Sequence, residues 1–218
     1  MARFPLQGIY PRIGHIINRD LPNIVNDSLK FRVFKQFGGF SDYEARQALR
    51  ANSLPIISIR DHTTKWGHYP PPYPKYKNEV FISKTIVDQY ERLHRQWSNS
   101  PEFSAVSAFS LPHHTDIRKQ NDRWRFTISK ARLHVEATIL HEIVHWGDMN
   151  ALGTSGNGAD GQTKDKFAWK RGWADLGHLF VSRAYKGQIE DGKDKYGWKV
   201  NKVNIDGWLG WDKNDWPF

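Results

Sequence analysis

Five residues constrain this chain more than any other stretch. They are His141, Glu142, Ile143, Val144 and His145, an H-E-x-x-H set inside a run from about Lys130 to Met149. Leu133, Val135, Ala137, Ile139, Leu140, Ile143 and Val144 leave that run apolar on nearly every side. A helix of that kind is a buried one. On a helix, residues four apart share a face, so His141 and His145 can aim two imidazoles at one ion. Glu142 lies about 100° around the axis, too far to join them as a ligand but able to reach a water activated beside them. Zinc in that position makes water a nucleophile near neutral pH and polarises a scissile carbonyl. A chance H-E-x-x-H is expected on the order of 0.01 times in a chain of this composition. Two histidines and a carboxylate buried there with nothing to do would be costly.

The 218 residues suit a single domain spanning 1–218. A chain this long can bury a core without staples, so a metal here is expected to be catalytic. There is no cysteine, which excludes disulfides, thiolate zinc sites and a cysteine nucleophile. The opening residues contain Pro5 and Pro11 and no apolar core, so no signal peptide is read there. No apolar run approaches the roughly 20 residues of a membrane span. Export would then need a specialised route or a larger carrier chain. The net charge of +9 attracts acidic partners, whether nucleic acid, anionic envelope polymers or an acidic protein. A rival reading follows: a non-enzymatic basic module that binds nucleic acid or cell envelope through charge and tryptophan. It predicts no stoichiometric zinc and steeply salt-dependent binding. The chain carries no recognisable nucleic-acid motif, which makes nucleic acid an unlikely partner.

Residues 1–28 read as an irregular lead-in with short helical pieces. Ser41 and Glu44 form a Ser-x-x-Glu capping box that opens a helix over 41–53. Strands are predicted at 54–61 and 78–83, separated by a proline-rich extended loop at 68–76. Residues 84–97 have helical apolar spacing. The segment 123–129 suits a third strand or the approach to the helix of 130–149. A Gly/Asn/Asp loop covers 153–165, and 173–185 reads as another helix. The tail, 198–218, carries Trp198, Trp208, Trp211 and Trp216 and is expected to pack on the domain. Short strands mixed with helices give an α+β class. Within it, the expectation is a zincin-like fold: an active-site helix beside a small mixed β-sheet.

A zincin takes its third metal ligand from further along the chain. The only glutamate beyond the motif is Glu190, so it is the preferred ligand; Asp175 is the alternative, with His178 one turn on. His178 and Tyr185 are candidate oxyanion stabilisers, as are Tyr196 and Arg183 by proximity in sequence. No third histidine follows at metzincin spacing. His113 and His114 are adjacent and so point apart, and His134 lies roughly 10 Å along the axis from His141, too far to share an ion.

The stretch 140–150, with Trp146, Gly147 and Asp148 after the motif, is followed by Asp175, Gly177, Phe180 and Tyr185. It resembles the metallopeptidase domains of bacterial polymorphic toxins, the Tox-MPTase3 type, including those carried by some type VI secretion spike (VgrG) proteins. Val181 and Lys186 depart from that pattern, and the first 120 residues match it only in general character. The resemblance implies an antibacterial effector delivered to the periplasm of a target cell, and an immunity protein in the producer. The overall expectation is a zinc metallopeptidase with Glu142 as general base and zinc on His141, His145 and Glu190. Substrate would add to the edge of a strand, either 54–61 or 78–83. A zinc amidase acting on peptidoglycan peptides has the same motif and the same chemistry.

Overall fold

A computed structural model describes residues 6–61, 67–68, 78–100, 115–150, 162–163 and 174–185. The lead-in is a succession of short helical turns between Leu6 and Asn26. It is not peripheral, because Ile13, Ile16, Ile17, Leu21 and Ile24 all lie in the core. One turn, Pro11–His15, is held by a carboxylate from elsewhere in the chain. Glu91 Oε1 accepts hydrogen bonds from the main-chain N–H groups of Arg12 (2.8 Å) and Ile13 (3.0 Å).

Helix α1 (Ser28–Gly38) starts where the Asp27 side chain accepts from the N–H groups of Leu29 and Lys30. It stops at Gly39, whose φ of 64° is a left-handed cap that a side chain would resist. Helix α2 (Asp42–Leu49) opens with the predicted capping box, with both reciprocal bonds between Ser41 and Glu44 made, and ends four residues before the predicted limit. Strands β1 (Ile56–Arg60), β2 (Gly67–His68) and β3 (Glu79–Ser83) form a sheet in the order β1-β3-β2. β1 pairs with β3 in parallel and β2 pairs with β3 antiparallel, so the small sheet is mixed. Val80, Phe81, Ile82 and Ser83 of the central strand are all buried, as expected of a strand covered on both faces.

Helix α3 (Lys84–Ser98) follows β3 directly, with the Ser83 hydroxyl accepting from Thr85 N–H. Helix α4 (Thr115–Asn150) absorbs the segment 123–129, which is helix and not strand. Its β-branched and aromatic residues suit a strand locally. Tertiary packing overrides that weak preference, and Ile128 is buried as part of the helix face. β4 (Gln162–Thr163), inside the predicted loop, pairs antiparallel with β5 (Ala174–Asp175), and helix α5 (Leu176–Tyr185) follows. The prolines of the 68–76 loop and the tail tryptophans lie outside the described residues, as do His113 and His114.

Helix α4 is the axis of the molecule. It packs against α1, α3, α5 and β3. Those neighbours surround it, so its apolar residues need not keep to one stripe, and Val135, Ile139, Leu140, Ile143 and Val144 are all buried. The architecture is mostly helical with a small sheet, in keeping with the α+β class.

Candidate active site

The motif falls on the buried part of α4. The His141 and Glu142 side chains are 15% and 7% exposed, and His145 is buried beside them. The two imidazoles meet tip to tip, with His141 Nε2 3.1 Å from His145 Nε2 and the rings inclined at 69°. Zinc–nitrogen bonds of 2.0–2.1 Å leave two ligand atoms 3.1 Å apart at an angle of about 100°. The pair is therefore spaced and aimed as two ligands of one ion. Glu142 Oε1 stands 3.9 Å from His141 Nε2. Among the described residues no group of three or more His, Cys, Asp or Glu side chains gathers where an ion could sit.

Two backbone elements close on the motif. A Cβ built on Gly67 of β2 would meet Glu142 Oε1 at 2.6 Å and Cγ at 2.7 Å. One built on Gly177, in the first turn of α5, would meet the His141 ring at 2.4–2.5 Å. The strand that touches the motif carboxylate is thus β2, which lies outside both predicted strands. Of the two predicted strands, β3 packs on α4 but occupies the middle of the sheet, and β1 forms the far edge. A strand of two residues is too short to show a period, so β2 carries no signal in the sequence.

Residues 7–113 match the family model described as metallopeptidase toxin 3. No curated protein and no solved structure matches the chain. The match to the metallopeptidase toxins covers just under half of the chain, from the helical lead-in to beyond α3, and stops before α4. It is therefore independent of the resemblance read at 140–187, which rests on other residues. It supports a metallopeptidase, a toxin and a metal cofactor.

Two of the remaining candidates lie close to this site along the main chain. Asp175 ends β5 and His178 lies one residue beyond Gly177, so the main chain brings both to the end of α5 that touches His141. Their side chains are outside the described residues, and so are Glu190 and Tyr196 altogether. Tyr185 is placed elsewhere. It is fully buried, its hydroxyl donates to Glu136 Oε1 (2.8 Å), and Lys30 Nζ lies both on that oxygen (3.2 Å) and over the Tyr185 ring (4.4 Å). Burial, then the Glu136 charge, hold that phenol far above its ordinary pKa. Its hydroxyl is thus engaged with Glu136 in the core. Arg183 is exposed and stacks on Phe37.

Sequence reasoning missed Gly67. Gly67 left no local signal, because its importance comes from a contact across 75 residues of chain.

Proposed function

We propose that the chain is a zinc-dependent peptidase acting as an antibacterial toxin domain. The observation that carries this reading is the convergence of His141 Nε2 and His145 Nε2 at 3.1 Å with Glu142 beside them, inside the core. His141 and His145 would hold the metal, with Glu190 as preferred third ligand and Asp175 as the alternative. Zinc, when bound, supplies an acidified water and polarises the scissile carbonyl. Glu142 takes the proton of the attacking water and passes it to the leaving amine. Burial keeps that carboxylate in place and excludes bulk water from the transfer. His178, on the turn that meets His141, is a candidate for stabilising the oxyanion. An extended peptide would add to the edge of β2 that faces away from β3, running past Glu142. Delivery on a secretion spike, action in the periplasm of a target cell and neutralisation by an acidic immunity protein complete the proposal; the net charge of +9 suits that last partner.

Metal analysis beside activity tests it. The wild-type chain should hold one zinc and cleave casein, and incubation with purified sacculi separates a peptidase from an amidase on envelope peptides. Glu190→Ala should lose zinc, while Asp175→Ala keeps it. The reverse pattern transfers the ligand role to Asp175, and a wild-type chain without zinc ends the metallopeptidase reading.

A further inference from the structure

Glycine is a poor choice at several places in this fold, and two of them meet the motif. Gly67 sits in a strand, where a missing side chain weakens the sheet. Gly177 sits in the first turn of α5, where alanine would favour the helix by about 1 kcal/mol. Neither position needs glycine for its backbone. Among the described residues the glycine with positive φ is Gly39, and the others adopt conformations open to any residue. What the two share is what they touch. The added Cβ would come within 2.6 Å of the Glu142 carboxylate at one, and within 2.4 Å of the His141 ring at the other. Contacts that short do not occur between real atoms, so one partner would have to move. The main chains of β2 and α5 are fixed by pairing and by burial, so the motif side chain is the one displaced.

We infer that Gly67 and Gly177 are positioning residues of the H-E-x-x-H site: bare main chain at 67 sets the Glu142 carboxylate, and bare main chain at 177 sets the His141 imidazole. This rests on the metallopeptidase reading for its chemical meaning, though not for its geometry. The two glycines divide the labour. A methyl group at 67 meets the Glu142 carboxylate first. A methyl group at 177 pushes a metal ligand. Gly147 is the contrast within the same helix, since its Cβ would meet Phe40 Cζ at 2.1 Å and the Gly38 carbonyl at 2.5 Å, all in the hydrophobic core. Gly8 has nothing within 4 Å.

The test substitutes alanine at each of the four and measures zinc affinity by chelator competition, kcat and KM on a casein-derived peptide, and thermal unfolding with and without chelator. Gly67→Ala should keep wild-type zinc affinity and KM while kcat falls about 100-fold, the scale of a roughly 1 Å misplacement of a reacting group. Gly177→Ala should weaken zinc at least about tenfold, as loss of ligand-orienting partners does. Gly147→Ala should lower Tm without that split, and Gly8→Ala should change nothing. In chelator, Gly67→Ala should lower Tm, and Gly67→Ala/Glu142→Ala should recover the loss, because removing the carboxylate makes room. Gly177→Ala/His141→Ala should behave likewise. The inference is overturned if the paired variants recover nothing, or if Gly67→Ala and Gly177→Ala both follow the Gly147→Ala pattern. Should the wild type hold no zinc, the metallopeptidase reading falls, and the paired variants still decide whether the glycines position these side chains.

Discussion

Glu136 and Glu142 lie six residues apart on one helix, and each side chain is 7% exposed. Their surroundings differ in kind. Glu136 receives a hydroxyl from Tyr185 and an ammonium from Lys30, drawn from two other helices. It ties α1, α4 and α5 together. Among the described contacts, Glu142 lies against the main chain of Gly67 and 3.9 Å from the His141 tip. Burial alone therefore does not mark a functional carboxylate. A cation and a phenol make a buried acid a fixture, because its charge is neutralised and its lone pairs are used.

The same isosteric change at each position should break the comparison most visibly. Glu142→Gln should cut peptide hydrolysis by about 10²–10⁴-fold while zinc is retained, since an amide cannot accept the proton. Wild-type hydrolysis by that variant would remove Glu142 from the mechanism. Glu136→Gln should do the opposite. It leaves Lys30 without its charge partner, costs on the order of 2 kcal/mol and lowers Tm by about 6 °C, with kcat near wild type. Equal loss of activity in both variants would erase the distinction.

A third imidazole sharpens the contrast at smaller scale. His94 on α3 has both ring nitrogens buried with no hydrogen-bond partner among the described residues, and it stacks edge-on against Tyr90. Burial, helped by Arg12, His15 and Arg132, pushes its pKa from 6.5 down to about 4. The unfolded chain then binds a proton that the native chain refuses, so stability falls as pH drops from about 6.5 towards about 4 and levels off below. Discounted for the partly exposed ring, the effect is on the order of 1 kcal/mol. Thermal unfolding of metal-free wild type minus His94→Leu across that range should show it. A flat difference would show that His94 takes the proton in the native state too.

Local features were the legible ones. The capping box at Ser41 and Glu44, the helix of 84–97 and the buried helix bearing the motif can all be read from neighbours in sequence, because caps and apolar periods are short-range. Packing across the chain was not legible. Residues 123–129 carry strand-like side chains, but the neighbours of α4 decide their fate. Tyr185 reads as an available phenol until Glu136, 49 residues earlier, is seen to hold it. Gly67 is one glycine among seventeen until the fold lays it on Glu142. His141 and His145 were legible as a pair because helical geometry alone brings them together.

The length of α4 has a last consequence. Its 36 residues make a rod of about 54 Å, and the motif occupies the stretch wedged between α5 and the sheet. Amides of this stretch should be among the slowest in the molecule to exchange with solvent, since opening it means opening the core. Partial unfolding would then not yield a partly active species. Residual hydrolysis in any variant becomes a count of intact molecules, and a chain threaded in extended form through a narrow channel would be inert until the whole rod had re-formed.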